Sequence, residues 1–392
     1  MHPFLADRMR RLPEFSVVSR LPNQKSLSVT RQGAETVGDS TIVIKMLAAG
    51  VCGTDLAILS GARPDQAQIL GHEGVGVLIY APKNCNVPKG TRLIINPVHR
   101  TEPHIVIGHS RDGVFREWFW IDAADADNGG FLVPCPRDCS LHDSELALAE
   151  PVASALYSLE LLKQECGTSS LLIRGSGTMG ILAAKLWPVL TGCDAIMVSK
   201  SETHAEWLRQ STRWPANVHI LCAASLPSVI RRRGSRSGLR AAILCCSRED
   251  APEGLAFLLD SVEDGATIDL MAGFPAEYRE FRLGDIPLDR IRWNNIRGHN
   301  SAPPTAAVDP CGGKTVYLTG HRGTSERHIL DAIDLLSRRV ISLADVPHRQ
   351  LTLHELPDAV GQMLSTTHRN TPWVKAMVAF SQNTSGELIG DC

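Results

Sequence analysis

Residues 171–185 read LLIRGSGTMGILAAK, an apolar run that breaks at Gly175, Gly177 and Gly180 and resumes in helix-forming residues. The spacing G-x-G-x-x-G is weak alone. Placed after a strand and at the mouth of a helix, it constrains the chain strongly, because each glycine then has a physical reason. Gly175 permits the tight turn, Gly177 lets a pyrophosphate approach the backbone, and Gly180 lets helix and strand pack closely. Thr178 and Met179 lie between them and open the helix. A pyrophosphate would rest on the helix N-terminus, where backbone amides and the helix dipole favour an anion. A plain strand–helix turn would use the same glycines for geometry alone.

The sequence around this turn supports the nucleotide reading. From about residue 155, SSLLIRGSG, CDAIMVSK, NVHILCAA, LRAAILCCS and GATIDLMAGF read as strands, and TMGILAAKLWPVL, ETHAEWLRQST and PEGLAFLLDSV as helices. Strands alternating with helices imply βαβ units and a parallel sheet. Continuously apolar strands fit a sheet covered on both faces. The expectation is an α/β chain: a β-rich, roughly barrel-like first part over 1–155, a doubly wound dinucleotide-binding domain over 156–305, and a return to the first domain over 306–392, with that last boundary between 300 and 335. Within 1–155, STIVIKMLAAG and GVGVLIYA are the clearest strands. APPTAAVDPCGGK reads as a loop or insertion, TVYLTG as a strand, SERHILDAIDLLSRR as a helix and PWVKAMVAF as a last strand. VIRRRGSR reads as a solvated basic face.

With 392 residues the chain suits two domains. Its 43% hydrophobic and 21% charged residues and net charge of -2 describe a globular protein and exclude a nucleic-acid-coating one. No run approaches the ~18 apolar residues of a membrane span. The start, MHPFLADRMRRLPEF, lacks a signal-peptide pattern. Eleven cysteines are scattered, with Cys245 and Cys246 adjacent, which suits a reducing, cytoplasmic setting.

Which dinucleotide would bind is decided at the end of the second strand, where an acid would hold the ribose 2′-hydroxyl. This chain has Ser199 and Lys200 there instead. Hydroxyls and a cation would receive a 2′-phosphate, which favours NADP, with NAD possible. The alternative is that Lys200 is only a solvated surface lysine.

A second constellation lies in the β-rich part. AAGVCGTDLAILSG carries Cys52, and GHEGVGV carries His72 and Glu73. Thiolate, imidazole and carboxylate are the donors zinc takes. One cysteine and one histidine twenty residues apart would more often be a buried thiol and a core histidine. GVCGTD, GHEGVG, AEPVASAL and the glycine-rich turn nevertheless occur in one order, and with them the chain resembles the zinc-dependent medium-chain dehydrogenase/reductase family, the alcohol and polyol dehydrogenases, from about residue 25 to 380. The resemblance implies a GroES-like catalytic domain and a Rossmann domain, one catalytic Zn2+ per chain, and an active site in the cleft between domains. It implies Cys52, His72 and Glu150 as metal ligands. Glu73 would be a glutamate beside the ion, able to enter its shell when water exchanges. Thr54 would be the hydroxyl that takes the substrate proton. Asp55 reads as structural.

There are departures from the family's pattern. Ala57 stands where many alcohol dehydrogenases continue the proton relay with a histidine. Between Cys85 and Cys135 there is no cysteine, so the quartet of a structural zinc lobe is missing. His99, His104 and His109 could form a replacement site, although their spacing of five suits neither helix nor strand. Asn300 and His321 fall on two segments that each resemble the strand end bordering the nicotinamide.

The implied function is hydride transfer between NADP(H) and a secondary alcohol or ketone of a polyol, sugar or cyclitol, because Glu150 points to that branch. The implied partners are a small-molecule alcohol or ketone and further copies in a homodimer or homotetramer, with no nucleic acid and no membrane. Two rivals are a zinc-free reductase of activated double bonds on the same fold and a non-catalytic dinucleotide-binding protein. Three metal donors argue against the first, and Thr54 beside them argues against the second.

Overall fold

The structure is a computed structural model that describes residues 10–21, 24–83, 85–226, 238–275, 277–284, 286–300, 303–309, 313–365, 373–381 and 389–391. VIRRRGSR lies outside the described residues, and the side chain of Asn300 is not described. The chain forms two compact units. One contains 1–150, 349–368 and 376–392; the other contains 151–348 and 369–375.

The centre of the first unit is the strand Thr41–Gly50, buried along nearly its whole length. It pairs antiparallel with Glu73–Tyr80, and the register sets Gly50 opposite Glu73. Trp118–Asp122 also pairs with Thr41–Gly50, and Lys375–Ala379 returns so that Met377 faces Gly50. Arg92–Ile95 and Leu132–Pro134 extend the sheet. A hairpin of Phe15–Arg20 and Leu27–Gln32 adds Phe15, Val17 and Val18 to the core. The largely apolar sequence of Thr41–Gly50, broken by the buried Lys45, follows from this position, since a strand covered on both faces has little solvent side to reserve for polar residues.

The second unit is a seven-stranded sheet in the order Val218–Cys222, Ala195–Ser199, Leu171–Arg174, Ala241–Leu244, Ala266–Leu270, Lys314–Thr319, Thr305–Asp309. The first six are parallel and the last is antiparallel. Sequence order reverses on either side of Leu171–Arg174, the switch point where doubly wound sheets open a ligand crevice at their strand carboxyl ends. Helices Thr178–Thr191 and Ala251–Ser261 bury Ile181, Leu182, Leu186, Trp187, Leu255, Leu258 and Leu259. Fully buried side chains of this size contribute roughly 1.5–3 kcal/mol each.

Two expectations change here. APPTAAVDPCGGK is not simply a loop: Thr305–Asp309 is a strand, pairing Ala307 with Val316. The boundary expected at 305 also moves, because Lys314–Thr319 pairs with Ala266–Leu270, and the second unit runs on to His348. No described helix is long and apolar enough to cross a membrane, and none of the nine described cysteines forms a disulfide.

Candidate metal centre and dinucleotide crevice

The antiparallel register explains why two distant segments meet. Thr41–Gly50 ends where Glu73–Tyr80 begins, so the residues just beyond Gly50 and just before Glu73 emerge side by side. Cys52 caps the short helix Gly53–Leu59, and His72 precedes the second strand. The turn into His72 needs glycine: Gly71 has φ 90°, and a side chain there would strike the ring of Phe115.

The donor atoms of Cys52, His72 and Glu73 lie within 4.8 Å of one another, the one such group of three or more among the described residues. His72 is 5% exposed and Glu73 1%. Asp55 links both segments. Its Oδ2 accepts from the Cys52 amide at 2.9 Å, and its Oδ1 accepts from the Gly71 amide at 3.0 Å. Oδ1 also lies 3.4 Å from Nδ1 of His72, which is buried and makes no hydrogen bond. Burial disfavours a charged His72, but Asp55 and Cys52 outweigh it and hold its pKa well above the ordinary value. A half-buried thiol, a buried imidazole and a buried carboxylate, braced by a second carboxylate, thus attract positive charge. That donor chemistry fits a zinc ion.

Thr54 is half-buried with Oγ1 3.7 Å from Cys52 Sγ, so its hydroxyl stands beside the cluster. Glu150 is the second residue of helix Ala149–Cys166 and is 8% exposed. It is not among the three donors grouped within 4.8 Å. The three loop histidines separate. His99 Nδ1 accepts from the amides of Thr101 and Glu102 at 3.2 and 3.0 Å and so closes a turn. His104 is exposed near Glu102. His109 packs edge-on against His72, ring centroids 4.7 Å apart. The loop therefore braces the metal-site segment, a role its sequence did not reveal.

In the second unit the glycine-rich turn lies at the switch point. Gly175 has φ 136°. A Cβ on Gly180 would sit 2.0 Å from the Gly175 carbonyl oxygen, so the helix reaches the strand only through glycine. Gly177 caps helix Thr178–Thr191, which Thr178 and Met179 open. Ser199 ends the second strand and is buried, its Oγ 3.4 Å from Ser176 Oγ. Lys200 Nζ lies 2.6 Å from Asp250 Oδ1. His204 belongs to the same rim: burial lowers its pKa, opposed by a hydrogen bond with the Ser176 backbone. Asp250 and His204 were not expected from sequence. The acids in CCSREDAPE, directly after a strand, were the available signal for Asp250.

His321 is buried and hydrogen-bonded at both ring nitrogens. It is 5% exposed, with Nε2 3.1 Å from both Ser154 O and Ser158 Oγ and Nδ1 3.1 Å from Gly323 O. Burial and the charge of Arg292 drive its pKa down to about 3. Ser158 in turn donates to Asp269 Oδ1 at 2.9 Å, a carboxyl that burial raises to about 6.

Residues 38–128 match the alcohol dehydrogenase GroES-like domain family. Over 91% of this chain and 98% of its own length, a D-xylulose reductase of Saccharomyces cerevisiae is 22% identical. A zinc-binding dehydrogenase of Sinorhizobium meliloti, solved with NADP, superposes with TM-score 0.68 at 19% identity over 94% of this chain and all of that one. An alcohol dehydrogenase of Escherichia coli CFT073, complexed with NADH, gives 0.69 at 18% over the same shares.

Proposed function

We propose that this protein acts as a zinc-dependent dehydrogenase of the medium-chain dehydrogenase/reductase type, transferring hydride between NADP(H) and a secondary alcohol or ketone of a polyol or sugar. The observation that carries the reading is the clustered Cys52–His72–Glu73 group, present in one chain with a glycine-rich dinucleotide turn. Cys52, His72 and Glu150 would hold a zinc ion and leave its fourth position open, with Glu73 beside it and able to enter its shell when water exchanges. The ion supplies Lewis-acid polarisation of the alcohol or carbonyl oxygen, and the nicotinamide supplies the hydride acceptor or donor. Thr54 Oγ1 takes the proton of the substrate hydroxyl, and Asp55 keeps the two ligand segments together. The backbone at Gly175–Gly177 and the N-terminus of helix Thr178–Thr191 hold the pyrophosphate. Ser199 and Lys200 receive the 2′-phosphate. The D-xylulose reductase relative supports a polyol or keto-sugar as substrate.

A screen of polyols and their ketones, with NADP(H) and NAD(H) followed by nicotinamide absorbance, tests this reading. Turnover of a secondary polyol, with higher kcat/KM for NADP, is expected. Turnover confined to activated double bonds would assign the zinc-free reductase instead, and tighter binding of NAD than of NADP would overturn the coenzyme assignment.

A further inference from the structure

Lys200 and Asp250 come from strands on opposite sides of the nucleotide-binding strand. Ala195–Ser199 and Ala241–Leu244 both pair with Leu171–Arg174, one along each edge. Lys200 follows the first of these directly, and Asp250 follows the second and caps helix Ala251–Ser261. Their 2.6 Å ion pair therefore spans the carboxyl end of the strand that leads into the glycine-rich turn. The two partners are not equally held. Asp250 is fixed by Ser247: Ser247 Oγ donates to Asp250 Oδ2 at 3.0 Å and accepts from the Asp250 amide at 3.2 Å. Lys200 is the more exposed side chain, 53% against 38%, and among the described residues its ammonium group bonds to Asp250 alone.

We infer that Asp250 is a specificity-determining residue, an internal carboxylate that occupies Lys200 until a 2′-phosphate replaces it. The inference rests on the coenzyme reading above. A dinucleotide with a 2′-phosphate must part the pair and re-form it with its own dianion. One with a bare ribose leaves the pair closed and gains nothing from Lys200. An exposed ion pair is worth little, so the exchange is cheap, and its cost falls on one coenzyme alone. The charge that Lys200 offers to NADP is thus partly spent before the coenzyme arrives, and Asp250 trims the discrimination that Lys200 provides.

The test measures NADPH and NADH dissociation constants by nicotinamide fluorescence for the full-length protein, Lys200→Met, Asp250→Asn and the double variant. Asp250→Asn is expected to tighten NADPH about threefold, the scale of an exposed ion pair, and to leave NADH unchanged. Lys200→Met is expected to weaken NADPH about tenfold, and in that background the gain from Asp250→Asn should disappear. Equal shifts for both coenzymes, or a gain that persists without Lys200, would show that Asp250 acts on the nucleotide independently of Lys200 and would overturn the inference. Loss of NADPH binding in Lys200→Met with no gain in Asp250→Asn overturns the inference alone. If Lys200→Met leaves NADPH binding intact, the coenzyme reading fails with it.

Discussion

At the scale of single residues, Asp55 shows how one carboxylate can organise a site it does not have to ligate. It holds the amides of Cys52 and Gly71 and lies beside the His72 ring. The sequence indicated a structural role for Asp55, but not that its two oxygens join segments sixteen residues apart. The carboxylate donors invite a direct comparison. Glu73 stands within 4.8 Å of the Cys52 and His72 donors, whereas Glu150 enters through the family resemblance. Zinc retained after dialysis against a chelator should fall at least tenfold in both Glu73→Gln and Glu150→Ala, as expected when a donor is removed from a small, closed set. Full zinc occupancy and normal turnover in Glu150→Ala would remove that residue from the ligand set.

At the scale of elements, legibility followed periodicity. The strands of the parallel sheet were readable because burial on both faces leaves only apolar residues, and the glycine turn because only glycine tolerates φ 136° at Gly175 and the contact at Gly180. Thr305–Asp309 was not readable: Val308 is 66% exposed on this edge strand, so half its pattern resembles a loop. The loop carrying His99, His104 and His109 has no period at all, and its histidines take three unrelated positions that only the fold assigns. Gly180→Ala tests the element directly. A methyl group 2.0 Å from the Gly175 carbonyl must push helix Thr178–Thr191 away from its strand. Overpacking of this kind costs about 1–3 kcal/mol, and the displaced turn should lose NADPH binding. Urea unfolding with NADPH titration checks both, and wild-type values for the two would contradict the close packing of Gly180 on Gly175.

At the scale of the whole molecule, each unit carries one half of the proposed chemistry: the first the donor group around His72, the second the crevice at the sheet's switch point. The boundary was misplaced because the edge hairpin of the parallel sheet is built from residues that read as a linker and a returning strand. The central claim is that the two halves form one zinc-dependent dehydrogenase. The most direct measurement is NADP reduction by a secondary polyol before chelator treatment, after it, and after stepwise return of Zn2+. The account predicts that activity disappears with the metal and returns in full at one zinc per chain. Undiminished turnover by metal-free protein would contradict it.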